Sequence, residues 1–320
     1  MSFASNARAA MARELCGEKC CARAELAAAL LVSAGISYRF GSAPRYGLSV
    51  TTAEAAVVRH YFQLLKHHFG VASQIRTLRS SSLRGATRYQ LVIPDEAGEP
   101  LLQEIGLYDP DQLFGVRQAP PEELTGYACC KKSFLKSAFM VCGGMANPEI
   151  EYHIEIAAPN GEFAAYVVEI LKYFEIQAKV SLRKSKPVVY LKKSDDVSDV
   201  LTLMGASHAM LTLQGVRVKK DVSNRVNRQL NCDSSNINRV METALKQIED
   251  IRYIESELGL DKLPAPLKAM AELRMNNAEA SLTNLGELLT PPLGKSGVNA
   301  RLRKLGEIAD RLRSGEEVKL

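Results

Sequence analysis

The sequence has 320 residues, of which 46% are hydrophobic and 24% are charged. A chain of this size can bury a large core, and its length favours about two domains. The formal net charge of +5 permits a nucleic-acid partner without requiring one, so the placement of Arg and Lys matters more than their sum. No apolar run approaches the roughly 20 residues of a membrane span, and the N-terminal segment lacks the apolar core of a signal peptide. We expect a cytoplasmic protein with reduced thiols and no membrane partner.

One stretch of the sequence occurs twice. Residues 20–35 and 129–144 align without a gap at a shift of 109 positions, and each copy begins with Cys-Cys and ends in small residues. Leu26 then aligns with Leu135, and Gly35 aligns with Gly144. Each copy is an apolar run at helical spacing, and small residues let two helices cross closely. The repeat therefore predicts a pseudo-twofold pair of helices.

The segments after each copy predict similar orders of strands and helices. After the first copy we expect strands at 36–41 and 46–52, a helix at 53–69, strands at 74–79 and 88–93, and a helix near 101–107. After the second copy we expect a strand at 151–157, a helix at 161–174, and strands at 178–183 and 188–192. Thr51 or Thr52 is expected to cap the first of these helices, and Gly70 to end it. Residues 109–125, rich in Pro, Gly and acid, predict a connector.

Both predicted hairpins of the duplicated region are basic. The first carries Arg76, Arg79, Arg84 and Arg88, and the second carries Lys179, Arg183, Lys184 and Lys186. Such charges bind the phosphates of a nucleic acid, but they also protect exposed sheet edges from aggregation. Both interpretations remain open.

The repeated helix resembles the LAGLIDADG motif of homing endonucleases. In that motif two helices form the subdomain interface, and each presents one acidic residue to a metal ion at the DNA. This chain has Ala34 and Gly143 at those positions, and neither side chain has an oxygen atom, whereas hard cations need oxygen ligands. Glu25 and Glu149 lie too far away in sequence to replace them. The resemblance implies the scaffold without the catalysis.

The composition changes after residue 220. Five asparagines lie close to three arginines: Asn224, Asn227, Asn231, Asn236 and Asn238 beside Arg225, Arg228 and Arg239. Asn and Arg can contact base edges and phosphates, which makes Arg225, Asn227 and Arg228 secondary candidates for DNA binding. Asn is also typical of turns and caps. From Ile237 the apolar spacing predicts a long helix towards Gly259.

The C-terminal segment predicts three short helices and therefore a helix-turn-helix. Pro266 suits the first turn of one helix, Ser281 caps the second, and the third begins at Ser296. The third helix has an apolar stripe through Val298, Leu302, Leu305, Ala309 and Leu312. Its candidate DNA-binding residues are Lys295, Ser296, Asn299, Arg301, Arg303 and Lys304, and the second helix adds Thr283 and Asn284. The alternative is an ordinary amphipathic helix with a solvated basic face.

Taken together, these features resemble the WhiA family over nearly the whole chain. The specific motifs are the two Cys-Cys pairs, the segment 133–139 followed by Asn147-Pro148-Glu149, and the turn and helix start at 294–299. The resemblance implies an α+β protein in which residues 1–214 form a duplicated αββαββα domain, with repeats at about 1–108 and 126–214. A helical linker at 215–260 and an all-α helix-turn-helix domain at 261–320 follow.

The same resemblance implies a function. Family members are DNA-binding proteins of Gram-positive bacteria, tied to cell division, chromosome segregation and, in filamentous members, sporulation. We therefore expect a nucleoid-associated, sequence-specific transcriptional regulator without enzymatic activity. Its expected partners are double-stranded DNA and other transcription regulators or RNA polymerase, with no cofactor and no small-molecule substrate.

Three other functions compete with this expectation. An active nuclease would need acids at the two lost positions. A zinc protein is suggested by Cys16, Cys20 and Cys21, but no CxxC or His pair follows at ligand spacing, so we expect no metal. A pure protein-interaction module would show no salt-dependent affinity for DNA.

Overall fold

The computed structural model describes residues 2–40, 45–79 and 87–316, which form two compact units, Met1–Lys219 and Lys220–Leu320. Residues 41–44 and 80–86, which include Arg84 and lie between predicted strands, are outside the described residues. The described α-helices are α1 (Phe3–Met11), α2 (Lys19–Val32), α3 (Ala55–Leu64), α4 (Gly98–Glu104), α5 (Ala128–Cys142), α6 (Gly161–Tyr173), α7 (Ser194–Leu203), α8 (Ser207–Glu257), α9 (Ala265–Asn276), α10 (Leu282–Glu287) and α11 (Lys295–Arg313). The described strands are β1 (Ile36–Arg39), β2 (Arg45–Thr52), β3 (Gln74–Arg79), β4 (Thr87–Ile93), β5 (Gly143–Met145), β6 (Ile154–Ala157), β7 (Lys179–Arg183) and β8 (Lys186–Leu191).

The first unit contains the predicted duplication. From α2 to α4, and again from α5 to α7, the elements run αββαββα. The two antiparallel sheets have equivalent strand orders, β1-β2-β4-β3 and β5-β6-β8-β7. The short strand β5 was not predicted, because its sequence Gly-Gly-Met has little strand propensity. It pairs with β6 and makes the second sheet equivalent to the first.

Each sheet is buried on one face only. In the first sheet, Leu48, Val50 and Leu91 are fully buried in the core with the helices. Residues opposite each other on antiparallel strands point to the same face, so Thr51, Gln90 and Arg76 form a row on the other face. This alternation leaves a polar open face on the first sheet.

The helix pair α2 and α5 lies at the centre of the first unit. The helices approach closely enough for the Ser137 hydroxyl of α5 to donate to the Glu25 carbonyl of α2. Ala24 and Ala28 of α2 are fully buried. A pair of helices was predicted, and the structure confirms it.

The predicted role of the small residues that close each repeat is wrong. A Cβ on Gly35 would lie 1.6 Å from the Ser49 carbonyl oxygen of β2, and a Cβ on Gly143 would lie 2.2 Å from Phe139 Cδ2 of its own helix. These glycines therefore admit a strand and a neighbouring ring, and do not mediate the crossing of the two helices.

The predicted cap of α3 is wrong in position. Thr51 and Thr52 are the last residues of β2, and the N-cap is Glu54, whose side chain makes no capping hydrogen bond. The Thr52 hydroxyl instead accepts from the Glu54 amide at 3.2 Å, just before the helix. The predicted end is confirmed: α3 continues as a π-helical turn, Leu65–Phe69, and Gly70 follows it with a φ of 66°.

The second unit is helical. The end of α8 contributes Ile251 and Ile254 to a core with the three helices that follow, so α8 overlaps the predicted linker and also supports the C-terminal helices. The Asn-rich segment lies inside the 51-residue helix α8, which rules out the alternative that its asparagines form turns. Among the described residues, no helix is both long and apolar enough to cross a membrane.

Candidate nucleic-acid interface

The last helix, α11, separates its apolar and polar residues sharply. Val298, Leu302, Leu305 and Ala309 of the predicted stripe are buried, and Ile308 joins them. Leu312, the last residue of the stripe, is half-buried. The segment 295–304 carries four basic residues and no acidic residue. The helix is therefore packed against the core on one face, and its first turns carry basic residues on the other face.

The turn before α11 holds the helix against α10. Ser281 is the N-cap of α10 as predicted, and its hydroxyl accepts from the Asn284 amide at 3.2 Å. At the other end, the Leu293 amide donates to the Gly286 carbonyl at 2.9 Å. A Cβ on Gly286 would lie 2.0 Å from the Leu293 carbonyl oxygen. Glycine is thus required where the turn folds back onto α10.

The structure brings the predicted DNA-binding residues together on these two helices. Seven are exposed: Lys295, Ser296, Asn299, Arg303, Lys304, Thr283 and Asn284. Arg301 is half-buried. Asn299 and Arg303 lie one turn apart, and Arg303 also contacts Glu307 at 3.5 Å. The Asn284 side-chain oxygen accepts from Ser281 at 2.9 Å, so part of its hydrogen-bonding capacity serves the cap.

Two supporting arginines were not identified from the sequence. Arg274 is 2% exposed, and its guanidinium donates to Gln247 Oε1 at 3.0 Å and to the Ala280 carbonyl at 2.7 Å. Burial lowers the pKa of this guanidinium. Arg313 pairs with Asp250 of α8 at 2.7 Å. Both residues tie the helix-turn-helix to α8. In the sequence they look like surface arginines, because their partners are distant along the chain.

The secondary candidates lie on different surfaces. Arg225, Asn227 and Arg228 are exposed on α8. Arg76 lies on the open face of the first sheet beside Gln90. In the second sheet Lys179 is opposite Tyr190, and Tyr190 is opposite Glu155, so these residues share one face, on which Arg183 also lies opposite Lys186. Lys184 lies in the tight turn after β7, with a φ of 48°.

Ala34 and Gly143, where the resemblance to homing endonucleases places the metal-binding acids, lie among other groups in this structure. Ala34 has a φ of 50° and lines a cavity of about 250 Å³ with Leu30 and Tyr38. Gly143 begins β5, and its carbonyl accepts from Arg8 Nη1 at 2.5 Å. A guanidinium therefore lies next to the second lost position, where its fixed charge opposes the binding of a cation.

Nearby carboxylates contact basic side chains. Glu54 pairs with Arg8 at 3.2 Å. Glu155 pairs with Arg183 at 2.9 Å and with His153 at 2.9 Å. The two acids considered from the sequence are elsewhere: Glu149 is exposed, and Glu25 is fully buried.

Glu25 forms a buried polar group between three helices. Its carboxylate contacts His60 Nε2 of α3 at 2.7 Å and Lys136 Nζ of α5 at 3.2 Å. Tyr61, also of α3, bonds to Ser137 at 2.7 Å, and burial raises the pKa of this phenol. These contacts hold the duplicated domain together and leave the Glu25 carboxylate inside the protein.

The structure also joins the two Cys-Cys pairs. The Sγ atoms of Cys20, Cys21, Cys129 and Cys130 all lie within 4.8 Å of one another. The expectation of no metal considered only partners at short spacing and missed the second pair, which lies 109 residues away. Cys16, which was grouped with the first pair, is not a member of this cluster; its carbonyl contacts His68 Nε2 at 2.8 Å. The signal was the repeat itself, since both pairs occupy equivalent positions in it.

Known families match three consecutive parts of the chain. Residues 19–108 match the WhiA N-terminal LAGLIDADG-like domain, residues 131–223 the WhiA LAGLIDADG-like domain, and residues 226–309 the WhiA C-terminal HTH domain. The duplicated LAGLIDADG-like fold followed by a helix-turn-helix, expected from the sequence, is therefore confirmed.

Full-length relatives agree with these domain matches. A protein of Desulforamulus reducens named "Probable cell division protein WhiA" is 41% identical over 99% of this chain and 98% of that protein. A protein of Alkaliphilus metalliredigens with the same name is 38% identical over 98% of this chain and 99% of that protein. The crystal structure of full-length DUF199/WhiA from Thermatoga maritima, 21% identical, covers 97% of this chain and 99% of that chain with a TM-score of 0.56, and it shows the same fold. This chain belongs to the WhiA family.

Proposed function

We propose that this protein is a sequence-specific DNA-binding regulator of transcription that acts in cell division and chromosome segregation. In relatives that sporulate, the same role extends to sporulation. The name of its relatives supports the link to cell division. The observation that carries the DNA-binding part is the first half of α11, where exposed Asn299 and Arg303 stand on a helix whose opposite face is buried. Recognition helices contact bases with their N-terminal residues.

In this proposal Asn299 and Arg303 read base edges, while Lys295, Arg301 and Lys304 contact phosphates. Asn and Arg side chains can form paired hydrogen bonds with adenine and guanine. Ser296, Thr283 and Asn284 lie at the starts of their helices, where hydroxyl and amide groups reach phosphate oxygens. The residues on α8 and on the open faces of the sheets add secondary contacts.

We further propose that the duplicated domain does not cleave DNA. The positions of the metal-binding acids hold Ala34 and Gly143, and Arg8 contacts the Gly143 carbonyl. Supercoiled plasmid incubated with the protein and Mg²⁺ or Mn²⁺ should stay uncut. Site-specific, metal-dependent cleavage that disappears in Glu54→Gln or Glu155→Gln would overturn this part.

The experiment for the proposed function is a salt titration of binding to DNA. A preferred site, obtained by selection from random duplexes, is compared with a scrambled duplex. We expect a linear fall of log K with log salt for both, and tighter binding to the preferred site by roughly 10³-fold or more. Equal, salt-insensitive binding to both duplexes would contradict the proposal.

One observation favours a second function, protein interaction. The long helix α8 exposes Val218, Val222, Leu230 and Ile237, each more than half exposed. Such residues fit contacts with another transcription regulator or RNA polymerase at the nucleoid. The same titration separates the functions, since an interaction module without DNA specificity gives no preferred site in the selection.

A further inference from the structure

The four clustered cysteines occupy equivalent places in the two repeats. Cys20 and Cys21 are the second and third residues of α2, and Cys129 and Cys130 are the second and third residues of α5. Cys21 and Cys130 are buried, Cys20 is half-buried and Cys129 is exposed. The first turns of the two central helices therefore present one thiol pair each to a common point, with an opening to solvent at Cys129.

We propose that these four cysteines bind a single metal ion of the zinc class as thiolates, and that the ion joins the two repeats at the N-terminal ends of α2 and α5. The inference depends only on the geometry of the first unit and is independent of the proposed DNA binding.

The sulfur positions fit one tetrahedral ion. A Zn–S bond of about 2.3 Å places the sulfurs of a four-thiolate site about 3.8 Å apart. Cys129 Sγ and Cys130 Sγ are 3.9 Å apart, and no pair in the cluster exceeds 4.8 Å. Rotation of the cysteine side chains would bring the sulfur atoms from these separations to the spacing of a four-thiolate site. Iron–sulfur clusters contain bridging sulfides and several metal ions, so they need more widely spaced thiolates than this cluster provides.

Binding converts four thiols into four thiolates and releases up to four protons to solvent, with no change of oxidation state. The divalent ion then leaves a formal charge of −2 on the site. Both helices begin here, and neither N-cap residue, Glu18 or Tyr127, caps its helix with a side-chain hydrogen bond. The amides of a helix's first turn have no partner within the helix, and together with the positive ends of two helix dipoles they favour negative charge at this position.

The site is remote from the lost catalytic positions. The cysteines belong to the first turns of α2 and α5, whereas Ala34 and Gly143 follow their last turns. A helix of 14 residues is about 21 Å long. With four protein ligands the ion has no open position for a substrate, so its role is structural.

The test uses full-length protein purified under reducing conditions. Elemental analysis should find about one zinc ion per chain, and cobalt added to the apoprotein should give the thiolate charge-transfer and intense visible bands of a tetrahedral site. The double variant Cys20→Ser, Cys129→Ser should lose both signals. It retains the two buried cysteines, so the core is preserved. Cys232→Ser, which removes an exposed thiol of α8, is the matched control and should keep both signals.

A chelator gives an independent readout that does not require a variant. Metal removal should lower the melting temperature of the wild-type protein, and added zinc should restore it, because an ion that binds only the folded state stabilises it. Three results would overturn the proposal: no metal and no cobalt bands in fully reduced protein, full metal content in the double variant, or a mass decrease that shows the cluster to be joined by disulfide bonds instead.

Discussion

The two units of the protein use charge differently. In the duplicated unit several charged groups are paired: Arg8 with Glu54, Arg183 with Glu155, and Lys136 with Glu25. In the C-terminal unit the first half of α11 presents basic residues without an acid among them. Exposed basic residues also lie on the sheets of the duplicated unit, at Arg76 and Lys179, but in the C-terminal unit four basic residues are gathered in the first half of one helix.

The largest expected effect concerns the paired charges. Glu25→Ala should lower the free energy of unfolding by about 3 to 5 kcal/mol, because it leaves the buried His60 and the half-buried Lys136 without their carboxylate. Chemical denaturation measures the loss. Glu149→Ala, at an exposed acid, is the control and should change stability by less than about 0.5 kcal/mol. Equal stability of the two variants would mean that the buried group does not hold the helices together.

A second prediction concerns the exposed charges. The triple variant Arg301→Ala, Arg303→Ala, Lys304→Ala should weaken binding to the preferred site at least about 100-fold, because it removes groups that bind bases and phosphates, while folding survives. Arg311→Ala is the control, because it removes a positive charge from the last turns of the same helix, away from the proposed DNA-binding residues. If both variants weaken binding equally, the first half of α11 is not the DNA-binding surface.

Much of this arrangement could be predicted because it depends on local spacing. The apolar stripe of α11 and the alternation in β2 and β4 follow from helical and strand periodicity, and the duplication follows from the repeat. Other features depend on distant partners. Strand β5 forms only because β6 offers it hydrogen bonds, and the Asn-rich segment is helical despite its composition. The thiol cluster and the buried Arg274 likewise have no local signal.

A third prediction concerns Gly286, where the turn before α11 folds back onto α10. Gly286→Ala should destabilise the C-terminal unit by about 1 to 3 kcal/mol, because the new Cβ would meet the Leu293 carbonyl. Gly215→Ala in α8 has open space and should stabilise its helix by up to about 1 kcal/mol. Thermal melting of this matched pair should show shifts of opposite sign, and shifts of the same sign would contradict the geometry of the turn.

The smallest expected effect concerns the open faces of the sheets. Arg76→Ala combined with Lys179→Ala should lower the salt slope of binding by about one unit for each phosphate that is no longer neutralised, without changing the preference between sequences. Glu96→Ala, which removes a surface charge of opposite sign in the same unit, serves as the reference. A changed sequence preference would place base reading in the duplicated domain.

The most direct test of base reading by α11 measures the ratio of affinities for the preferred and scrambled duplexes in the Asn299→Ala, Arg303→Ala variant. We predict that the difference in binding free energy between the two duplexes, which this ratio measures, falls by about 1 to 3 kcal/mol for each base that is no longer read, with relaxed preference at one or two base positions, while affinity for the scrambled duplex changes little. A ratio that stays at the wild-type value in this variant, but collapses when Arg76, Arg183 and Lys184 are replaced, would show that the duplicated domain reads the sequence.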